Sequence, residues 1–191
     1  MTRETWLSQL TDRLRPHFEE AGFGLPSEIR VSCGWPTRRA IVPSGKNRTL
    51  GQCFSSACSK DGRHELFISP AVADQQKVAA ILTHELCHAA DDCRHGHGPE
   101  FKRIAIAVGL TGKMTATTAT PQLAGRLNAL TANMPPYPHA ALDTSAAEKK
   151  QSTRMIKLEC GECGYTVRTT RQWIATGLPV CPCGSEMEEE A

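Results

Sequence analysis

The stretch that decides the reading is HELCHAADDCRHGHGPEF, residues 84–101. Residues four apart share one face of an α-helix, so His84 and His88 of this HExxH pattern can turn both imidazoles toward a single ion. Zinc binds imidazole nitrogen at roughly 2.0–2.1 Å, and a catalytic zinc keeps three protein ligands with one position open for water. Glu85 stands beside the first histidine, on the flank of that face. There it can take the proton of a water whose pKa zinc lowers to about 7. Val78, Leu82, Leu86 and Ala89 form an apolar stripe, while His84, His88 and Asp91 line another face.

HExxH alone recurs by chance in unrelated chains, and a third histidine gives it weight. His97 sits between Gly96 and Gly98 in a segment able to turn back on the helix, followed at once by a Pro-Glu-Phe helix start. His95 competes with it for the third ligand position. Asp91, Asp92 and Glu100 are placed either to orient ligand imidazoles from behind or to be solvated acids near helix ends. Cys87 falls off the ligand face and reads as a packed free thiol. Cys33, Cys53, Cys58 and Cys93 lack metal-ligand spacing and read as buried thiols. His17, His64 and His139 read as incidental.

Outward from the motif, helix and strand signals alternate. Thr2 to Gly22 has Trp6, Leu10, Leu14 and Phe18 four apart, an amphipathic helix stopped by glycine. Glu28–Trp35, Leu50–Phe54 and Glu65–Ser69 read as strands, the last two joined around Asp61-Gly62. The metal-bearing helix is expected from Asp74 to Asp92. A second follows Pro99 with Phe101, Ile104, Ala105 and Val108, and a third spans Pro121 to Asn133. Residues 134–152, MPPYPHAALDTSAAEKKQS, carry neither period and read as a tether.

Beyond the tether, Cys160-Gly-Glu-Cys163 and Cys181-Pro-Cys183 form two knuckles, each followed by a glycine (Gly164, Gly184). Four thiolates satisfy a tetrahedral zinc. So short a segment buries too little apolar surface to fold alone, and a structural zinc supplies on the order of 10–16 kcal/mol in comparable peptides. Tyr165 to Trp173 reads as a strand. Its Arg168, Arg171 and Trp173 offer phosphate and base contacts to a single strand, or else Trp173 packs in the module's small core and the arginines are solvated. Arg38, Arg39, Lys46 and Arg48 form another basic cluster.

Composition sets the class. The chain has 191 residues, 40% hydrophobic and 22% charged, with a formal net charge of +2. These values fit a folded globular protein and argue neither for nucleic acid nor against it. The polar N-terminus lacks a signal-peptide core, and no apolar run approaches the roughly 20 residues that span a bilayer. A cytoplasmic protein with no membrane partner is expected. There, nine cysteines point to metal rather than disulfides.

The blocks HELCHAADD, GHGPEFKRIA and GLTGKMTATTA, with ELFISPAVA before them, resemble the SprT-like family that includes the Spartan proteases. The similarity covers about Trp6 to Ala119 and, more loosely, a C-terminal zinc ribbon. The resemblance implies His84, His88 and His97 as zinc ligands and Glu85 as catalytic acid/base. It also implies proteolysis of proteins bound or crosslinked to DNA. These residues show none of the long eukaryotic regulatory tail with partner-binding motifs, so recruitment by replication factors is not expected. Met114 invites comparison with the methionine turn of other zinc peptidases, though a core methionine serves as well.

The expected fold is therefore α+β. A zincin-like domain (1–133), with a short sheet packed on the HExxH helix, is followed by a linker (134–153), a zinc ribbon (154–187) and an acidic tail (188–191). The expected function is peptide hydrolysis by zinc-activated water, with one catalytic and one structural zinc and no organic cofactor. Its partners would be a protein substrate and DNA, single-stranded favoured, which would make it nucleoid-associated. The rivals are a non-catalytic zinc-containing nucleic-acid-binding module and a metallopeptidase unrelated to DNA.

Overall fold

The computed structural model describes residues 1–35, 49–143 and 155–189. The basic cluster Arg38, Arg39, Lys46 and Arg48 lies outside them. The chain divides into two compact units, Met1–Ala146 and Ala147–Ala191.

In the first unit, helix α1 (Arg3–Glu20) opens on Thr2, whose hydroxyl accepts from the Thr5 N–H. It closes at Gly22, whose φ of +85° lets the Phe23 N–H reach the Phe18 carbonyl at 2.9 Å. Trp6, Leu10, Leu14 and Phe18 are all fully buried along one stripe. Strands β1 (Ile29–Cys33), β2 (Gly51–Phe54) and β3 (His64–Ile68) form a sheet in the order β1-β3-β2. β1 runs parallel to β3, with Val31 opposite Leu66. β2 runs antiparallel to it at the edge, with Gly51 opposite Ile68. Along β3, His64, Leu66 and Ile68 are buried in alternation, the pattern of a strand with one face on a core.

Helix α2 (Gln75–Ala90) starts on Asp74, whose carboxylate accepts the Lys77 N–H at 2.7 Å. Its Val78, Ala79, Leu82, Leu86 and Ala89 pack into the core shared with α1 and the sheet. Each such leucine contributes about 1.5–3 kcal/mol by leaving water. The chain then turns through Asp92 and Cys93 into α3 (Pro99–Ala107), which buries Phe101, Ile104 and Ala105. A hairpin that the periodicity did not announce follows, β4 (Leu110–Lys113) with β5 (Ala116–Ala119). α4 (Pro121–Thr131) is capped by the Thr120 hydroxyl.

Residues 134–142, read from composition as part of a tether, differ from that expectation. Met134 and Tyr137 are buried, and the Tyr137 ring meets Trp6 edge-on at 4.9 Å. The Trp6 indole N–H donates to the Pro135 carbonyl, and the Leu142 N–H to that of Pro70. The physical reason is that two apolar anchors spaced among prolines carry no period, yet each finds a place on the core.

The second unit is a three-stranded antiparallel sheet in the order β7-β6-β8, from β6 (Ile156–Cys160), β7 (Thr166–Thr169) and β8 (Met187–Glu189). Two expectations change here. The strand read across Tyr165 to Trp173 ends at Thr169 and passes into a one-turn helix, α5 (Arg171–Ile174). The acidic tail is partly structural: Glu188 and Glu189 lie in β8 because Met187 inserts into the small core beside Cys160 and Leu158. Among the described residues, no helix is long and apolar enough to cross a membrane.

Candidate metal centres

On α2, His84 and His88 fall one turn apart and point the same way. The Nε2 atoms of both stand 3.2 Å from Nε2 of His97, which the turn after α2 carries back over the helix. Three nitrogens on corners of a tetrahedron around zinc would lie about 3.3–3.4 Å apart, so the cluster has the span that imidazole ligation of zinc requires. These three residues form a group able to hold a metal ion. The ring of Phe101, fully buried on α3, floors the cluster. It stacks on His88 at 4.3 Å and meets His84 and His97 at 4.9 and 5.0 Å.

Competition for the third position is resolved by Asp91. Its carboxylate accepts from the His95 ring at 2.7 Å and from the His95 N–H at 2.9 Å, which holds that imidazole away from the cluster. Asp92 bonds His64 and Arg94, and Glu100 bonds Arg103, so the hydrogen bonds of all three acids run to residues outside the cluster. The group that does back a clustered imidazole is Thr117 of β5. Its Oγ1 lies 2.8 Å from His84 Nδ1, which leaves Nε2 as the bare lone pair. Its only advance signal was a threonine-rich stretch. Met114 packs on the core.

Burial first, then the charges of His88 and His97, push the His84 pKa down to about 3. Burial and His97 lower His88 to about 4, and burial lowers His97. All three are therefore neutral at ordinary pH, the form that a metal takes up.

Glu85 is only 5% exposed and lies against the start of β2. A methyl built on Gly51 would stand 2.8 Å from both Cγ and Cδ of Glu85. Burial, then the Cys93 charge, raises this carboxyl to about 8. A carboxyl with so high a value holds its proton at neutral pH, and a zinc cation beside it would return it to the carboxylate that general base chemistry needs.

The second cluster joins Cys160, Cys163, Cys181 and Cys183. Cys160 and Cys183 sulfurs are 3.6 Å apart, those of Cys163 and Cys181 3.4 Å, against about 3.8 Å for the edge of a zinc–thiolate tetrahedron. Gly164 and Gly184, at φ +71° and +93°, fold each knuckle so that its N–H meets the carbonyl of Cys160 or Cys181. The shortened Cys-Pro-Cys knuckle thus still delivers both sulfurs.

Of the residues considered for nucleic acid, Arg168 is exposed on β7. Arg171 is held by both oxygens of Glu189 at 2.7 Å, and Trp173 is 61% exposed. The small core is filled by Leu158, Met187, Ile156, Val167 and Ile174 instead.

The SprT-like family model matches residues 27–120. Comparison with curated proteins gives no match, nor does comparison with solved structures. The matched span runs from just before β1 to just past β5 and contains Glu85, the three clustered histidines and Thr117. Residues 27–120 therefore carry a SprT-like domain, one of a metallopeptidase-type family.

Proposed function

We propose that this protein is a zinc-dependent metallopeptidase acting on proteins bound or crosslinked to DNA. The observation that carries the reading is the convergence of His84, His88 and His97 at 3.2 Å with buried Glu85 at their flank. Zinc held by the three imidazoles would supply Lewis acidity, acidifying water and polarising a peptide carbonyl. Thr117 fixes the His84 tautomer, Phe101 sets the ring planes, and Asp91 keeps His95 out. Glu85 accepts the proton of the attacking water and passes it to the leaving amine. A second zinc, held by the four cysteines, folds the C-terminal unit.

DNA as partner, single-stranded in preference, is supported by the family resemblance and by exposed Trp173 and exposed Arg168 on one small module. A protein with these partners would act in the cytoplasm, at the nucleoid. One observation favours a second reading, a peptidase indifferent to DNA: the Arg171 guanidinium is already engaged by Glu189.

The test is self-cleavage and cleavage of a basic DNA-binding protein, with and without single-stranded DNA, for wild type and Glu85→Gln, with zinc measured on the same samples. Cleavage that DNA stimulates and salt suppresses, lost in Glu85→Gln at unchanged zinc content, is the expected result. Salt-insensitive cleavage without stimulation favours the second reading. No cleavage by zinc-loaded wild type overturns the enzyme.

A further inference from the structure

Cys53 lies in β2, two residues after Gly51, and Cys93 lies in the turn beyond α2. Although 40 positions apart in sequence, their sulfurs stand 3.2 Å from each other, and both residues are half-buried. The backbone that brings them together is strained. Asp92 and Cys93 are consecutive residues with side chains in the left-handed region, at φ 51° and 57°, the only non-glycine positions of that kind among the described residues. Such conformations persist where surrounding contacts over-determine them, and they gather at functional sites. Here the Cys93 N–H donates to the His88 carbonyl at 2.8 Å, the Asp92 N–H to that of Ala89, and His64 bonds the Asp92 carboxylate at 3.0 Å. The turn that sends the chain toward His97 is thus the same turn that aims Cys93 back at β2.

The pair is not part of a metal cluster. Among the described residues, the groups able to hold an ion are the three histidines and the four ribbon cysteines, and Cys53 and Cys93 belong to neither. The remaining thiols of the first unit have other neighbours. Cys87 is buried against the Thr83 carbonyl, Cys58 is exposed beside the Ser55 hydroxyl, and Cys33 faces Arg3.

We propose that Cys53 and Cys93 form a site of reversible oxidation by peroxide, whose product is a disulfide crosslinking β2 to the turn that leads to His97. The thiolate of one cysteine attacks a peroxide oxygen. The O–O bond breaks, and a sulfenic acid forms as water leaves. The thiol of the other then attacks the sulfenic sulfur. An S–S bond forms, the S–O bond breaks, and a second water departs. Two thiols and one hydrogen peroxide become one disulfide and two waters, the sulfurs losing the two electrons that the peroxide gains. A small dithiol reverses the step by exchange. The sulfurs need close by only about 1 Å to reach the bond length of ~2.05 Å.

The crosslink would tie together the two segments that frame the histidine cluster. Gly51, two residues before Cys53, abuts Glu85, and His97 lies four residues beyond Cys93. No residue of the cluster is consumed, and the bond forms whether or not the protein is a peptidase.

The experiment exposes full-length, zinc-loaded protein to a hydrogen peroxide series and blocks remaining thiols by alkylation. Non-reduced digests are then mapped by mass spectrometry, with and without dithiothreitol. The peptide linking Cys53 to Cys93 should accumulate over any disulfide formed by exposed Cys58, by on the order of tenfold, because the partners are already in place for the second step. It should vanish on dithiothreitol treatment. In Cys93→Ser, Cys53 should form no intramolecular link and be driven to the sulfinic acid. Oxidation of Cys58 while Cys53 and Cys93 remain alkylatable would overturn the proposal, as would either of them linking instead to another cysteine of the chain.

Discussion

Gly51→Ala tests how closely Glu85 is confined. The added methyl would meet Cγ and Cδ of Glu85 at 2.8 Å, whereas carbon contacts become favourable only from about 3.5 Å. One side must retreat by about 0.7 Å. Gly51 is fixed by its pairing with Ile68 in β3, and Glu85 projects from a helix whose Leu82 and Leu86 are fully buried, so the carboxylate gives way. Overpacking of this kind costs about 1–3 kcal/mol, a fall of several degrees in the melting temperature of the first unit. A catalytic group misplaced by about 1 Å costs on the order of 10²-fold in rate, equivalent to about 2.7 kcal/mol of barrier. Zinc content should not change, because the three Nε2 atoms lie on a face that Gly51 does not touch. The assay is thermal melting together with cleavage kinetics at saturating zinc. In a Glu85→Ala background the new methyl has no carboxylate to displace, so the stability cost should shrink below about 1 kcal/mol. Wild-type melting and wild-type cleavage in Gly51→Ala would refute the reasoning. An undiminished cost in the double variant would move the strain from Glu85 to the strand.

Thr117→Val removes the acceptor behind His84 Nδ1 and should weaken zinc binding by about 10–100-fold in chelator competition, with Thr117→Ser retaining it. Equal affinities for all three proteins would remove Thr117 from the site. The depressed values of His84 and His88, about 3 and about 4 against an ordinary 6.5, keep these rings neutral as pH falls. Protons should therefore displace the metal only well below pH 6.5, followed on cobalt-substituted protein whose imidazole and thiolate sites absorb differently. Loss near pH 6.5 would contradict the burial argument. Cys163→Ser leaves three thiolates and should cost one zinc and the hydrogen-exchange protection of β6, β7 and β8, while the melting of the first unit stays put. Persistent protection would mean that the ribbon does not depend on metal.

The parts of this fold that were legible in the sequence are those whose side chains repeat with a period. The stripe Trp6, Leu10, Leu14, Phe18 and the alternation along β3 announce α1 and the sheet, because burial on one face writes itself every four or every two residues. The pair His84 and His88 was legible for the same reason. Other features depend on single residues. The β4–β5 hairpin shows only Leu110 to a buried side, and β8 only Met187, so neither contains a period to read. Met134 and Tyr137 are single anchors among prolines, and composition alone cannot tell them from a tether. Contacts across long separations were out of reach altogether: Gly51 beneath Glu85, Thr117 behind His84, and the sulfurs of Cys53 and Cys93.

The choice between His95 and His97 shows how a local pairing settles what spacing leaves open. Both histidines lie in the same short turn, and either could have completed a cluster with His84 and His88. Asp91 sits four residues before His95 at the end of α2 and accepts from both its ring and its backbone N–H. That pair of hydrogen bonds to one carboxylate spends His95 on closing the turn, and the closed turn delivers His97 two residues later to within 3.2 Å of both helix histidines. The same economy separates the two candidate metal clusters. Four sulfurs around a tetrahedral ion leave it no vacant position, whereas three imidazoles leave one, and among the described residues the buried acid, Glu85, stands beside the three imidazoles. Removing Asp91 should therefore loosen the third ligand without touching it, a coupling that the HExxH pattern by itself does not contain.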